Sequence, residues 1–432
     1  MHPFRPLSKG RITPLLLILI SLLSVLVQVS LNYLLSKNAT VETFGEYRTF
    51  LALVSFSGIF HFGLIDGMYL RWLLNDEKPR GNEFISLIVI QIIILGLLVF
   101  FFQKVSLIVP IFIQIFIQNL LAFSNNVLLR EQKFIINSLV VIVNQLLLTL
   151  LAYIFSDRLT IDFIVNLYNM LFSTSTTILL FILFLKKYIA LDGFWGSMNK
   201  AEISLFVKAN LSIGFPILLT GLVFVGFQNL DKVILSQYYS KYEFGLYSFG
   251  YTIVNIVVGV VLSVANFMLR KFIEIPLKAL ESLFTKLTIG LATISILFML
   301  FSPILFHIIQ LFIPQYAAAK PFILALSAII LPYVLLQLLI FNLFKIQKSS
   351  KLFFFNSLIH LILLIAVLFM SVKFLVKLET VPFGILAVFF SWYLTSEWLL
   401  MKTNIVFKKG LTYRSLSLVS TIIVNILYVT FS

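Results

Sequence analysis

Long apolar stretches alternate with short polar ones along almost the whole chain. A helix needs about 20 apolar residues to cross the roughly 30 Å hydrocarbon core of a bilayer, and it satisfies its own backbone polar groups there. The pattern therefore predicts a bundle of membrane-spanning helices. The predicted spans are 13–35, 47–70, 84–102, 107–129, 134–155, 161–185, 209–235, 246–268, 287–309, 321–343, 352–372 and 381–401.

Both ends of the chain bear on this count. The first span follows Arg5, Lys9 and Arg11, but its apolar part is too long for a signal peptide and no small-residue cleavage site follows it, so we expect a retained helix. The run Leu416–Phe431 could be a further span. The predicted fold class is an all-α polytopic membrane protein with about 12 transmembrane helices, or 13 if this last run also spans.

Composition excludes a soluble enzyme. Of the 432 residues, 60% are hydrophobic and 11% charged, against about 45–50% and about 25% in soluble domains, and the mean hydropathy is +1.07. The chain has no cysteine, which excludes disulfides, thiolate catalysis and cysteine metal sites. The four histidines are far apart in sequence without ligand-like spacing. We therefore expect no metal, no cofactor and no catalytic residue.

Positive charge is distributed unevenly among the loops. If the N-terminus is cytoplasmic, most of the 32 lysines and arginines fall on the cytoplasmic side, as the positive-inside rule requires. Topology and anionic lipid headgroups therefore account for most of the net charge of +15. Nucleic acid is not an expected partner. Arg71, Arg130 and Arg270 at cytoplasmic span ends are interpreted as topology anchors. The amphipathic stretch 201–208 is predicted to be a helix on the membrane surface, with a solvated loop as the alternative.

A short motif occurs twice, 200 residues apart. Phe44-Gly45-Glu46-Tyr47 follows the first predicted span and Phe244-Gly245-Leu246-Tyr247 the seventh. An even number of spans separates the copies, so the halves have parallel orientation. We predict two pseudo-symmetric six-helix lobes around a central cavity. The predicted domains are 1–190 (first lobe), 191–402 (second lobe) and 403–432 (a cytoplasmic loop plus the extra apolar segment).

Two equivalent six-helix lobes are typical of transporters that work by alternating access, with the substrate bound between the lobes near the midplane. A membrane-embedded enzyme is the main competitor. However, the chain has no phosphate-binding glycine loop, no H-E-x-x-H and no paired-aspartate motif. We therefore predict a transporter and no enzyme, with a channel as a weaker option.

The repeated motif also carries a family resemblance, together with further elements at corresponding spans. The chain resembles the polysaccharide transporter family, the flippases for lipid-linked O-antigen and capsule repeat units, which share a superfamily with multidrug and toxin extrusion antiporters. The elements that carry this resemblance are Phe44–Tyr47 with Gly58, Phe62-Gly63 and Arg71; Asp231–Leu235 with Tyr238, Tyr239 and Phe244–Tyr247; and Pro314–Ala319.

The resemblance implies a function in O-antigen, lipopolysaccharide or capsule biosynthesis. The substrate would be an undecaprenyl-diphosphate-linked oligosaccharide, moved from the cytoplasmic to the outer face of the bacterial inner membrane without covalent chemistry. Membrane lipids, a polysaccharide polymerase and the chain-length machinery would be partners. The protein would be multi-pass with a cytoplasmic N-terminus. The coupling cation, H⁺ or Na⁺, stays open.

Charged and amide side chains inside spans are the candidate cavity residues. Arg48 and Lys232 would attract the diphosphate, or else extend to lipid headgroups at the interface. Gln28 and Asn32 share one face of the first span, and Gln228 and Lys232 share one face of the seventh. Asn229 lies beside them, and we expect these two helices to line the cavity.

Four titratable residues are candidates for cation coupling or for ion pairs. Asp66, Asp231 and Glu397 are the acidic residues that we place inside spans, and His61 lies near the middle of the second span. A structural ion pair explains the acidic residues equally well. A buried core histidine is the simpler interpretation of His61.

Two other functions remain open at this point. One is a cation-coupled multidrug or metabolite antiporter of the same superfamily, although such a protein is expected to hold more acidic residues inside its spans. The other is a membrane-embedded glycan polymerase or ligase, although these usually have a long external loop with arginines and here the external loops are short. The basic balance of the chain favours an anionic substrate.

Overall fold

The structure is a computed structural model that describes residues 14–75, 77–102, 107–131, 133–189, 200–263, 277–346, 349–374 and 377–402. Nearly all of these residues are helical and none forms a β-strand. The first half contains α1 (Pro14–Asn38), α2 (Val41–Ser55), α3 (Leu64–Asn75), α4 (Gly81–Phe102), α5 (Ile108–Arg130), α6 (Phe134–Ile154) and α7 (Ile161–Leu185). The second half contains α8 (Lys200–Tyr238), α9 (Lys241–Ser263), α10 (Leu277–Leu300), α11 (Ser302–Phe312), α12 (Lys320–Ser327), α13 (Ile330–Leu335), α14 (Phe341–Ile346), α15 (Ser350–Lys373) and α16 (Val381–Lys402).

These elements confirm the predicted fold class. Among the described residues, six helices are long and apolar enough to cross a membrane unaided, and up to eight spans result if each of two bent helix pairs counts as one. When α2 with α3, α10 with α11, and α12 with α13 and α14 each count as one segment, the elements form twelve successive segments, six in each half. The run Leu416–Phe431, proposed as a thirteenth span, lies outside the described residues.

The second span is broken, which corrects the prediction of one continuous helix over 47–70. Its two parts meet at 62°. The turn between them contains Phe62 with φ 49° and Gly63 with φ +84°, a left-handed region that glycine enters without steric cost. The backbone N–H of Gly63 donates to Nδ1 of His61 over 3.1 Å. His61 therefore stabilises the break.

The structure of the second half corrects two further predictions, the surface helix at 201–208 and the continuous tenth span. The segment 201–208, predicted as a separate helix on the membrane surface, is the beginning of the 39-residue helix α8, which continues through Pro216. The tenth span is bent by 46° between Pro314–Ser327 and Ile330–Phe344, and it includes a π-helical turn at Leu336–Ile340. Hydropathy averages over such bends, so it did not reveal them.

The helices that carry the repeated motif begin with defined caps. Ser240 and Glu243 form a reciprocal capping box at the start of α9: the Glu243 N–H donates to Ser240 Oγ and the Ser240 N–H to Glu243 Oε2, both over 3.2 Å. Thr40 caps α2 by accepting from the Thr43 N–H over 3.2 Å. We call the end of the bundle that holds the α1–α2 and α8–α9 turns the turn end.

The two halves make their most extensive contacts at two helix crossings, with further contacts between α2 and α8 and between α1 and α9. Within the first half α1 packs on α6 and α5 on α7, and within the second half α8 packs on α15 and α15 on α16. Between the halves, α2 packs along α9 near the turn end, and α3 packs along α8 further from it. We call the α2–α9 contact the first crossing and the α3–α8 contact the second crossing.

Candidate functional site

The two copies of the repeated motif touch each other at the first crossing. A Cβ atom placed on Gly45 would lie 3.0 Å from the Cα of Gly245, and one placed on Gly245 would lie 2.2 Å from the carbonyl oxygen of Val41. The backbones of α2 and α9 are therefore in direct contact. The glycine of each motif is needed because no side chain fits between them.

Polar side chains from both halves surround this contact. Nε of Arg48 donates to Thr252 Oγ1 over 2.9 Å, and Lys241 forms an ion pair with Glu46. Nε2 of Gln315 donates to the Ala39 carbonyl over 3.2 Å. Each of these bonds joins one half to the other, so together they close the turn end.

The two ionic contacts differ in exposure. Lys241 is 69% exposed, and its hydrogen bond to Glu46 raises the pKa of its ammonium group. Arg48 is partly buried, and its guanidinium carbon lies 5.4 Å from the centre of the Phe44 ring. The Arg48–Thr252 bond is therefore the better shielded from water and salt.

A second polar cluster lies in the second half, between α8 and α9. Tyr247 OH donates to Asp231 Oδ2 over 2.5 Å, and Nζ of Lys232 lies 3.4 Å from Asp231 Oδ1. The same ammonium lies 3.4 Å from the centre of the Tyr251 ring and donates to the Gln228 carbonyl. Asp231 therefore lies in an ion pair within α8, and the bond from Tyr247 ties α9 to α8.

Both members of this pair are buried. Asp231 is 3% exposed and Lys232 7%. A small cavity of about 20 Å³ lies beside Asp231 and is also lined by Tyr247, Tyr251, Asn255 and Tyr333. It has room for about one water molecule. Its walls come from the second half alone.

Arg48 and Lys232 contact adjacent residues of α9. Arg48 bonds to Thr252 and Lys232 covers the neighbouring Tyr251. Because Asp231 offsets one of these two positive charges, the cluster keeps one surplus positive charge. The structure therefore brings the two predicted anion-binding residues to the same helix, and their role in binding stays a prediction.

Two of the amide residues proposed as cavity walls bond within their own helices. Asn32 Nδ2 donates to the Gln28 carbonyl over 2.8 Å, and Asn229 Nδ2 donates to the Val225 carbonyl over 3.2 Å. The side chain of Gln28 is exposed and that of Asn32 buried. Nε2 of Gln228 donates to the hydroxyl of Tyr333 on α13, so Gln228 links two helices of the second half.

The remaining candidates are distributed over the bundle. His61 is buried at the break of the second span. Asp66 is half-buried in the first turn of α3, where a carboxylate suits the helix dipole. Glu397 is buried on α16. Lys402, the basic residue five positions further on the same helix, lies 3.8 Å from the centre of the Trp398 ring.

Sequence reasoning missed a buried carboxylate, Glu83, which is 2% exposed. It pairs with Arg71, accepts from Trp72 Nε1 over 2.8 Å and accepts from the Arg80 N–H over 3.1 Å. Arg71, interpreted from sequence as a topology anchor, therefore also fastens α3 to α4. The position of Glu83 at the start of α4 gave no sign of this burial.

Comparisons with known proteins identify the fold. No protein-family model and no curated protein matches the sequence. Among solved structures, an inward-facing multidrug resistance MATE family transporter of the MOP superfamily matches with TM-score 0.57 and 12% identity, over 89% of this chain and 98% of that one. A MATE transporter in complex with MaL6 matches with TM-score 0.52 and 14% identity, over 92% and 99%.

A third structure shares the fold at a similar level. It is a MOP superfamily transporter from Pyrococcus furiosus Vc1, with TM-score 0.53 and 14% identity over 94% of this chain and all of that one, described by a binding pocket of reverse polarity that suggests a different function. These neighbours are transporters and not enzymes. The chain shares the fold of these solved structures: a polytopic helical membrane protein with two six-helix lobes.

Proposed function

We propose that the chain is a transporter that works by alternating access between its two lobes. The observation that carries this proposal is the first crossing, where bonds between the lobes close one end of the bundle. In this account the first crossing is the gate, because its side-chain bonds can be exchanged for bonds to water. The second crossing is the pivot.

Glycine packing supports the assignment of the pivot. A Cβ atom on Gly214 would lie 1.8 Å from the Gly63 carbonyl oxygen, and one on Gly67 would lie 2.0 Å from the Asn210 carbonyl oxygen. Helices that approach each other this closely through small residues pack tightly in membranes. A contact of this kind keeps its spacing while the ends of the helices swing.

The orientation follows from charge. The positive-inside rule, applied to the loops, assigns the turn end to the outer face and the N-terminus to the cytoplasm. In a bacterial inner membrane the gate would then face outward. The structure described here would be closed to the outside.

The substrate class that the site supports best is an anionic one. Arg48 and Lys232 carry two positive charges against the single carboxylate of Asp231, and arginine binds phosphate oxygens in a bidentate fork. Together with the motif resemblance, this favours an undecaprenyl-diphosphate-linked oligosaccharide, flipped to the outer face for a polysaccharide polymerase. Arg48 would exchange Thr252 for the diphosphate.

The second candidate is a cation-coupled multidrug or metabolite antiporter. It is favoured by the solved structures of this fold, which include multidrug resistance MATE transporters. Asp231, a buried carboxylate beside a cavity large enough for one water, is the residue that would then bind the coupling cation. A glycan polymerase or ligase has no such support.

One experiment separates these candidates. A strain that lacks the gene would be complemented with the parent, Arg48→Gln, or Arg158→Gln as a control at an exposed turn residue. An impermeant sugar-oxidising label on spheroplasts then reports which membrane face holds the prenyl-linked glycans. Flippase function predicts that shielded repeat units accumulate without the gene and with Arg48→Gln but not with Arg158→Gln. Normal labelling combined with increased drug susceptibility would support the antiporter.

A further inference from the structure

An apolar groove lies between the two lobes. Its cavity volume is about 470 Å³, within the range of about 300–1,000 Å³ that is usual for sites of small organic molecules. Its walls come from α2 and the turn after it, from α4 and α5, and across the interface from α8. The lining residues are Leu53, Phe56, Ile59, Phe60, Leu98, Ile108, Ile111, Phe112, Ile115, Leu230 and Val233.

The position of the groove along the helices gives its depth. Ile108 is the first residue of α5 and Ile115 lies seven residues further, about 10 Å along the helix axis. On α8, Val233 and Leu230 lie five and eight residues before the helix ends at Tyr238, about 8 and 12 Å from the turn end. The groove therefore occupies the half of the hydrocarbon core next to the turn end, since that half is about 15 Å deep.

The chemistry of the lining restricts the occupant. All eleven lining side chains are aliphatic or aromatic, so the groove offers no hydrogen bond to a headgroup, a sugar or a water molecule. At this depth the surrounding solvent is hydrocarbon. A hydrocarbon chain fits these walls, and its polar head would lie beyond the groove at the membrane surface.

We infer that one acyl chain of a bilayer phospholipid, from the leaflet at the turn end, occupies this groove and bridges the two lobes. Leu230 and Val233 come from the second lobe and the other lining residues from the first. The chain therefore fills the interface beside the first crossing and is displaced whenever the lobes separate there. This inference does not depend on which substrate is transported.

Photo-crosslinking tests the inference. The probe is phosphatidylglycerol with a photoactivatable diazirine in its acyl chain, incorporated with the full-length protein into phospholipid nanodiscs. After irradiation, mass spectrometry of peptides locates the attached lipid. We expect labelling concentrated on 53–60, 108–115 and 230–233.

Two neighbouring residues on α4 provide a matched pair of variants. Leu98 lines the groove, whereas Leu97 is 55% exposed and is not part of the lining. Leu98→Trp is expected to reduce groove labelling several-fold by filling the space, and Leu97→Trp to leave it unchanged. Val233→Trp fills the groove from the other lobe, and size-exclusion chromatography identifies which variants fold.

Three results would overturn the inference. The first is labelling no stronger in the groove than at Leu150 and Tyr153, exposed residues of α6 that are not part of the lining. The second is unchanged groove labelling in the folded filling variants. The third is displacement of the phospholipid probe by an equimolar amount of a polyprenyl phosphate, since the groove would then take a prenyl tail and not an ordinary lipid.

Discussion

The two crossings between the lobes use different chemistry. At the first crossing the glycine contact is surrounded by bonds between side chains, such as Arg48 to Thr252 and Glu46 to Lys241. At the second crossing, Gly63 and Gly214 bring the two backbones together without room for a Cβ. Polar bonds at a surface can be exchanged for bonds to water at a small net cost, whereas close packing cannot be loosened without losing contact energy. This difference is what a gate and a pivot require.

The largest expected effect concerns the buried Asp231–Lys232 pair on α8, whose carboxylate also accepts a hydrogen bond from Tyr247 of α9. Asp231→Asn leaves the Lys232 ammonium buried without its carboxylate, and loss of one partner from a buried ion pair typically costs about 3–5 kcal/mol. We expect a correspondingly lower free energy of unfolding in detergent, measured by chemical denaturation. Asp231→Asn combined with Lys232→Met should recover most of the loss. An Asn variant as stable as the parent would contradict the presence of a charged Lys232.

The pivot is tested by one substitution at two positions of α8. Gly214→Ala places a Cβ 1.8 Å from the Gly63 carbonyl oxygen, and overpacking of this kind costs about 1–3 kcal/mol. Gly221 has nothing within 4 Å of its Cβ position, so Gly221→Ala should be neutral or add up to about 1 kcal/mol through helix propensity. Thermal unfolding of the purified variants measures both. Equal stabilities of the two variants would contradict the close backbone packing at the second crossing.

The role of Arg48 at the gate is tested by removing its bond to Thr252 in two different ways. Arg48→Gln removes a charge-assisted bond worth about 1.5–3 kcal/mol, and transport should fall about tenfold or more if the cation also binds substrate. Thr252→Val keeps the guanidinium and removes only its bond to the second lobe. We expect it to open the turn end more often while substrate affinity is retained. Equal losses of affinity in both variants would show that Arg48 acts only as a latch.

The smallest expected effect belongs to the exposed pair at the edge of the gate. Because Lys241 is 69% exposed, its ion pair with Glu46 contributes at most about 1 kcal/mol and is weakened by salt. Glu46→Lys should shift the protein slightly toward the open state, and Glu46→Lys combined with Lys241→Glu should restore the parent balance. Accessibility of a cysteine introduced at Ser36, which is buried beside Gln315 at the turn end, to an impermeant thiol reagent measures this shift. A shift that persists in the charge-swapped variant would argue against the pair.

The repeated motif shows how far the sequence led and where it stopped. Two copies of Phe-Gly-x-Tyr separated by an even number of spans predicted two equivalent lobes, and the fold confirms them. The contact between Gly45 and Gly245 could not be predicted, because a repeat indicates equivalence and not proximity. Likewise, Arg48 and Lys232 were chosen for their charge, whereas their bonds to Thr252 and over Tyr251 depend on how α9 packs.

Local backbone geometry and contacts between helices account for the remaining differences between the sequence predictions and the structure. The break after His61 needs a left-handed residue at Gly63, but a glycine in an apolar run is equally compatible with close helix packing. The surface-helix interpretation of 201–208 failed because amphipathic character near a membrane does not say whether the helix continues inward. Burial of Glu83 depends on Arg71 and Trp72 from another helix, which periodicity cannot register.

A distance measured across the turn end is the most direct test of alternating access. The chain has no native cysteine, so spin labels attach only at Arg158→Cys and Glu379→Cys, exposed residues of the α6–α7 and α15–α16 turns in opposite lobes. Double electron–electron resonance in nanodiscs should give a short distance for the closed state and a longer one whose population changes when substrate or a cation gradient is supplied. A single distance, unchanged under every condition and in Thr252→Val, would contradict alternating access through the first crossing.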